Sequence, residues 1–192
     1  MRLWRTWSVL QVVRVAAEPD PSLASRVREA ALLEGDFVLS SGKRSRFYVD
    51  KYLFSTEPRL LRELAREISV RLPADTERLA GVELGAVPLV VAASLQSGLS
   101  YGIVRKGVKE YGTSNSIEGR SLEDGEKVVL IEDVVTTGAQ VLRAAVTLEG
   151  AGAEVLGILA ALDRRDEDSA SLGGYPFGAL LRLEDLGARG GD

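Results

Sequence analysis

Two adjacent carboxylates, Glu132 and Asp133, are followed by two valines and then by Thr136-Thr137-Gly138. Hydroxyls and a glycine at the head of a helical pattern suit a phosphate, because the first N–H groups of a helix lack intrahelical partners. The acidic pair is unsuited to that phosphate. It can accept hydrogen bonds from sugar hydroxyls or hold a hydrated cation. A ribose phosphate satisfies both halves. Adjacent acids at a strand end have no packing use, which sets this stretch apart from an ordinary buried strand and capped helix. A second group is cationic. Arg105, Lys106 and Lys109 lead into a stretch of low apolar content that contains Gly107, Gly112 and Gly119. Three cations at a strand end, followed by a mobile loop, suit a lid that closes over a polyphosphate.

Absences narrow the chemistry further. The 192 residues include no Cys and no His. Disulfides, thiolate nucleophiles, imidazole acid–base catalysis and His- or Cys-ligated metals are therefore excluded. What remains is carboxylates, Lys, Arg, Tyr, backbone amides and Mg²⁺. The net charge of −4 gives no bulk signal for nucleic acid. No apolar run is long enough to span a membrane. The length suits one domain with a substantial core.

These groups need elements to hold them. Residues 127–131 form a short β-branched apolar run, expected as a buried parallel strand ending at the acids. A helical pattern follows to about Glu149, with Gly150 and Gly152 as stops. Residues 79–88 read as a strand entering a Gly turn, and 88–96 as a helix closed by Gly98. The turn at Leu84-Gly85-Ala86 can present N–H groups to an anion. Residues 100–104, 154–162 and 177–183 are further strands. Residues 56–72 form an amphipathic helix, with Glu63/Arg66 and Glu67/Arg71 spaced for ion pairs. Upstream, Ser22 starts a helix that Gly35 is expected to end. Two β runs, 37–39 and 47–49, flank a Ser/Gly/basic turn as a small hairpin. Residues 1–19 are set apart by Trp4, Trp7 and three arginines, and by the Pro19-Asp20-Pro21 boundary. They are expected to be an extension of no catalytic importance.

The stretch from Lys127 to Gln140 resembles the 5-phosphoribosyl 1-diphosphate (PRPP) motif of type I phosphoribosyltransferases. The match covers about ten consecutive positions in residue type, with Glu132 where Asp is commoner and Gln140 where a small hydroxyl is frequent. Leu39, Ser41, Gly42 and Ser45 resemble the hood of orotate phosphoribosyltransferases, with Ser40 where bacterial members often carry Lys. Arg105-Lys106, Lys109, Gly112 and Glu118-Gly119 resemble their catalytic loop, with Tyr111 where His is usual.

The resemblance covers roughly residues 23–187. It implies an α/β domain: an open, mostly parallel sheet flanked by helices (about 56–187), a small N-terminal hood (about 36–54) and a flexible tail (188–192). It implies a cytoplasmic homodimer that transfers phosphoribose from Mg²⁺-bound PRPP to orotate, with each catalytic loop reaching the neighbouring subunit. PRPP contacts then fall to Glu132, Asp133, Val134, Val135, Thr136, Thr137, Gly138, Ala139 and Gln140, joined by Arg105, Lys106, Lys109 and Gly85. Lys109, Asp133 and Glu132 carry catalysis. Tyr48, Val49, Thr136 and Arg164 seat the pyrimidine. Mg²⁺ arrives mainly with PRPP and needs no dedicated protein ligands. Two other readings share these motifs: transfer to another nucleobase, and a PRPP-binding regulator without turnover.

Overall fold

The computed structural model describes residues 21–38, 44–107, 116–167 and 169–188. The expectations for residues 1–19, the hood turn at 39–43, Lys109, Tyr111 and the last four residues lie outside these.

The chain opens with helix α1 (Pro21–Ala31) and an antiparallel hairpin, β1 (Leu32–Val38) and β2 (Arg44–Val49). Gly35 therefore lies inside a strand rather than ending the helix. The helix stops earlier because Leu32 pairs with Val49, and Asp50 N–H donates to the Ala31 carbonyl at 3.0 Å. A short helix unmarked in the sequence pattern, α2 (Lys51–Ser55), follows, with the Asp50 carboxylate capping it at Tyr52 N–H. Helix α3 (Pro58–Arg71) starts where Glu57 accepts from Leu60 N–H and Pro58 has no N–H that needs an acceptor. Of its buried face, Leu60, Leu64 and Ile68 join the core cluster shared with α1 and the sheet. Full burial of a Leu or Ile side chain contributes about 1.5–3 kcal/mol. Of the two expected ion pairs, Glu67 does meet Arg71, whereas Glu63 pairs with Arg26 of α1 at 2.5 Å.

The remaining elements alternate: β3 (Arg78–Val82), α4 (Val87–Ser97), β4 (Ser100–Val104), β5 (Ile117–Glu118), β6 (Lys127–Val135), α5 (Ala139–Gly150), β7 (Glu154–Asp163), β8 (Ser171–Leu172) and β9 (Tyr175–Arg182). A 3-10 turn, Leu183–Leu186, follows. The main sheet has the order β5-β4-β3-β6-β7-β9-β8. Its five central strands are parallel, and the short β5 and β8 are antiparallel edges. One core cluster joins the sheet to α1, α3 and α4; the other joins it to α5. Ala188 is buried against the domain, one residue beyond the expected boundary of the tail.

Connections run outward in both directions from β3 and β6. In an open α/β sheet such a reversal opens a crevice at the carboxyl ends of the strands. The site is built there. The far side of that edge is tied down by Arg78, which is fully buried, lies 3.5 Å from the Glu126 carboxylate and donates to the carbonyls of Arg120 and Ser121. A Cβ on Gly102 or Gly119 would come within 3.2 Å of its guanidinium. The segment after the basic loop is thus anchored to β3.

Candidate active site

Strand β6 runs on through the acidic pair instead of ending before it. Its pairing with β3 stops at Ile131, but β7 still pairs with Glu132, Val134 and Val135. The two acids therefore occupy a strand that has lost one neighbour. Asp133 N–H turns to Glu132 Oε1 at 3.1 Å, and Val134 N–H donates to Asp133 Oδ1 at 2.6 Å. Both side chains are buried. Burial, followed by the Asp133 charge and hydrogen bond, pushes the Glu132 carboxyl up to about 9. Burial beside a second carboxylate thus favours the protonated form of Glu132 near neutral pH.

Beside them the chain turns into α5. Thr136, Thr137 and Ala139 are exposed, and Gly138 takes a φ of 76°. That conformation suits glycine, and a Cβ there would also come within 2.7 Å of Leu172. The N-cap residue Gly138 supplies no side-chain cap to α5, and Thr137 Oγ1 accepts from Ala139 N–H at a long 3.4 Å. The exposed turn and the helix start sit in one cavity of about 250 Å³ with both acids, Lys51 and Arg143. Val134 and Val135 line it through the strand end, and Gln140 through the first turn. Gln140 is committed elsewhere as well: its amide donates to the Glu83 carbonyl at 3.3 Å.

The loop after β3 closes the other side. A Cβ on Gly85 would lie 1.4 Å from Asp133 Oδ2, so only a glycine lets this backbone reach the acid. The Glu83–Leu84 peptide is cis. Ala86 N–H is used within the turn, donating to the Val82 carbonyl at 3.2 Å. Glu83 gathers the start of the basic stretch. Its carboxylate accepts from Lys106 N–H at 2.6 Å and lies 3.7 Å from Arg105, which also meets Glu118 at 3.2 Å. Arg105 is thus shared between two carboxylates, while Lys106 is exposed.

Arg164 occupies a second cavity, about 140 Å³, with Arg165, Asp166, Arg182, Leu183, Glu184 and Ala188. Its backbone N–H donates to the Val135 carbonyl at 2.8 Å, which joins the two cavities along the β6–β7 edge. Its Nε is buried and has no hydrogen-bond partner among the described residues. Burial lowers the pKa of this guanidinium, and the nearby Tyr48 hydroxyl opposes that shift. Tyr48 itself is partly exposed and stacks at a tilt on Phe37, with ring centroids 5.5 Å apart. The hairpin and the end of β7 thus converge. Val49 differs: its side chain belongs to the core, leaving only its backbone for a ligand. Arg165 is structural, gripping Asp163 at 3.0 Å and covering the Phe177 ring at 4.1 Å.

Sequence reasoning missed two residues. Lys51 Nζ lies 2.7 Å from Asp133 Oδ2. Partial burial alone would lower its pKa, but the Asp133 hydrogen bond and charge outweigh that and raise it. In sequence it is one lysine after a hairpin, and only the tertiary fold brings it to the acids. Glu83 is the other; its place two residues before Gly85 was the available signal. No group of three or more possible metal ligands occurs among the described residues.

A family model for the phosphoribosyl transferase domain matches residues 56–175. Orotate phosphoribosyltransferase from Halobacterium salinarum is 45% identical over 167 residues, covering 85% of this chain and 94% of its own. That from Methanocella arvoryzae is 43% identical over 170 residues, covering 87% and 97%. Among solved structures, orotate phosphoribosyltransferase from Aeropyrum pernix superposes with a TM-score of 0.74 at 28% identity, covering 85% of this chain and 95% of that one. The Mycobacterium tuberculosis enzyme in complex with PRPP gives 0.69 at 30% identity, covering 87% and 98%. The chain therefore belongs to the phosphoribosyltransferase family and groups there with the orotate phosphoribosyltransferases.

Proposed function

We propose that this protein transfers the phosphoribosyl group of Mg²⁺-bound PRPP to orotate, giving orotidine 5′-phosphate and pyrophosphate. The observation that carries the reading is one cavity with two characters: a helix start whose N-cap is a glycine, beside exposed threonines, and a buried acid pair of which Asp133 lies 2.7 Å from a cation. The turn at residues 136–140 receives the 5′-phosphate through backbone N–H groups and hydroxyls. Asp133 accepts from a ribose hydroxyl, and its charge favours the positive character that develops at C1 as pyrophosphate leaves. Protonated Glu132 can both donate to and accept from the sugar. Arg105, Lys106 and Lys109 neutralise the leaving pyrophosphate, and Arg105 must exchange a carboxylate partner to do so.

Orotate belongs in the neighbouring cavity. Its carboxylate meets Arg164, whose buried Nε lacks a hydrogen-bond partner among the described residues, and its ring lies by Tyr48 and the Val49 backbone. The ring nitrogen is the nucleophile, so no side chain needs to attack. Mg²⁺ fits this donor set. Asp133 Oδ2 already holds a cation in Lys51 Nζ, and Mg²⁺ is commonly bound by one or two carboxylates plus substrate oxygens. When bound, the ion neutralises pyrophosphate charge and orients it. Arg164→Ala tests the acceptor. The KM for orotate should rise at least about tenfold more than that for PRPP, the scale of one lost charge-assisted contact. Equal losses for both substrates would point to another base or another orientation.

A further inference from the structure

The Lys51–Asp133 contact differs from the Arg78–Glu126 pair in the exposure of its cation. Arg78 and Glu126 are both enclosed, with side-chain exposures of 1% and 4%. Asp133 is equally enclosed at 3%, but Lys51 is 33% exposed and its side chain forms part of the cavity wall. Its backbone is fixed, since it opens α2 directly after the Asp50 cap. Its four-carbon stem is not, and the ammonium has open cavity beside it. Gly85 preserves the arrangement: a Cβ there would overlap Asp133 Oδ2 and lie 2.9 Å from Lys51 Nζ. The ammonium therefore stands between the buried Asp133 Oδ2 and the cavity.

We propose that Lys51 is the resident counter-ion of the acid pair and must leave Asp133 before a substrate-borne divalent cation and its sugar can engage that carboxylate. The inference rests on the phosphoribosyl-transfer reading of the same cavity. A divalent cation at Asp133 and an ammonium 2.7 Å from the same oxygen repel each other, and a site walled by protein screens them poorly. One must yield, and the lysine is the mobile partner. Lys51 is thus a positioning residue. It keeps a buried carboxylate paired and in place in the empty enzyme, and it sets the threshold for cation entry. Divalent ions alone compete poorly with it; an ion delivered with PRPP, anchored at the 136–140 turn, competes well.

The test is Mn²⁺ titration of the full chain by electron paramagnetic resonance, without PRPP or acceptor base. Wild type should bind Mn²⁺ weakly. Lys51→Met should bind one equivalent at least about tenfold more tightly, and Lys51→Met/Asp133→Asn should lose that gain. Lys51→Arg, which retains a cation, should behave as wild type. If Lys51→Met does not fold, Lys51→Gln serves, with the same gain expected. Either variant binding Mn²⁺ no more tightly than wild type overturns the proposal, as does a gain that survives Asp133→Asn. The titration involves no acceptor base, so failure to turn over orotate would count against the proposed reaction and leave this result interpretable.

Discussion

Asp133 has a defined environment: a backbone N–H on Oδ1, an ammonium on Oδ2 and the bare backbone of Gly85 against its edge. Asp133→Asn keeps that shape and removes the charge. Losing one such electrostatic contact to a transition state costs about 10²–10³ in rate. The variant should keep its circular dichroism spectrum and lose kcat on that scale; retention of more than half of wild-type kcat would remove Asp133 from the mechanism. Glu132 makes a separate prediction. Its carboxyl is raised from an ordinary 4.5 to about 9 in the fold, so between those values the native state holds a proton that the unfolded chain has released. Its contribution to stability is complete at low pH and declines as pH rises through that window. The slope is about 1.4 kcal/mol per pH unit for one proton. Urea unfolding of Glu132→Gln should lack this slope relative to wild type. Parallel pH profiles would contradict the protonated assignment.

Elements differ in how far sequence exposes them. Residues 100–104 and the helix closed by Gly98 were legible, because apolar runs bounded by glycine admit few alternatives. The end of β6 was not. Carboxylates read as the close of a buried strand, but β7 continues to supply partners as far as Val135. Gly35 misleads for a related reason: it signals a helix stop locally, while the pairing of Leu32 with Val49 decides the end. Within the site, the acid pair and the threonine turn were legible because they are contiguous. Lys51 reaches Asp133 across more than eighty residues of chain, and no local pattern encodes that. Gly138 illustrates a position where the local rule and the tertiary contact agree. Gly138→Ala combines a strained φ with a clash against Leu172 and should cost about 2–4 kcal/mol. A lowered urea midpoint with a raised KM for PRPP is the expected result; an unchanged midpoint would mean the turn relaxes freely.

At the scale of the whole molecule, the sheet order explains why residues from distant parts of the chain meet. The reversal between β3 and β6 brings the Gly85 loop, the acid pair and the 136–140 turn to one edge. The hairpin and β7 add Tyr48 and Arg164 next to it. Two adjoining cavities, one suited to a sugar phosphate and one to a carboxylate, underlie the proposed reaction. The most direct measurement is PRPP-dependent pyrophosphate release with Mg²⁺ and a panel of orotate, uracil, adenine and hypoxanthine. Turnover is expected with orotate, with loss of at least about a hundredfold in kcat/KM for the bases that lack a carboxylate to pair with Arg164. Preferred turnover of any other base, or PRPP binding with no turnover of any, would contradict the proposed reaction.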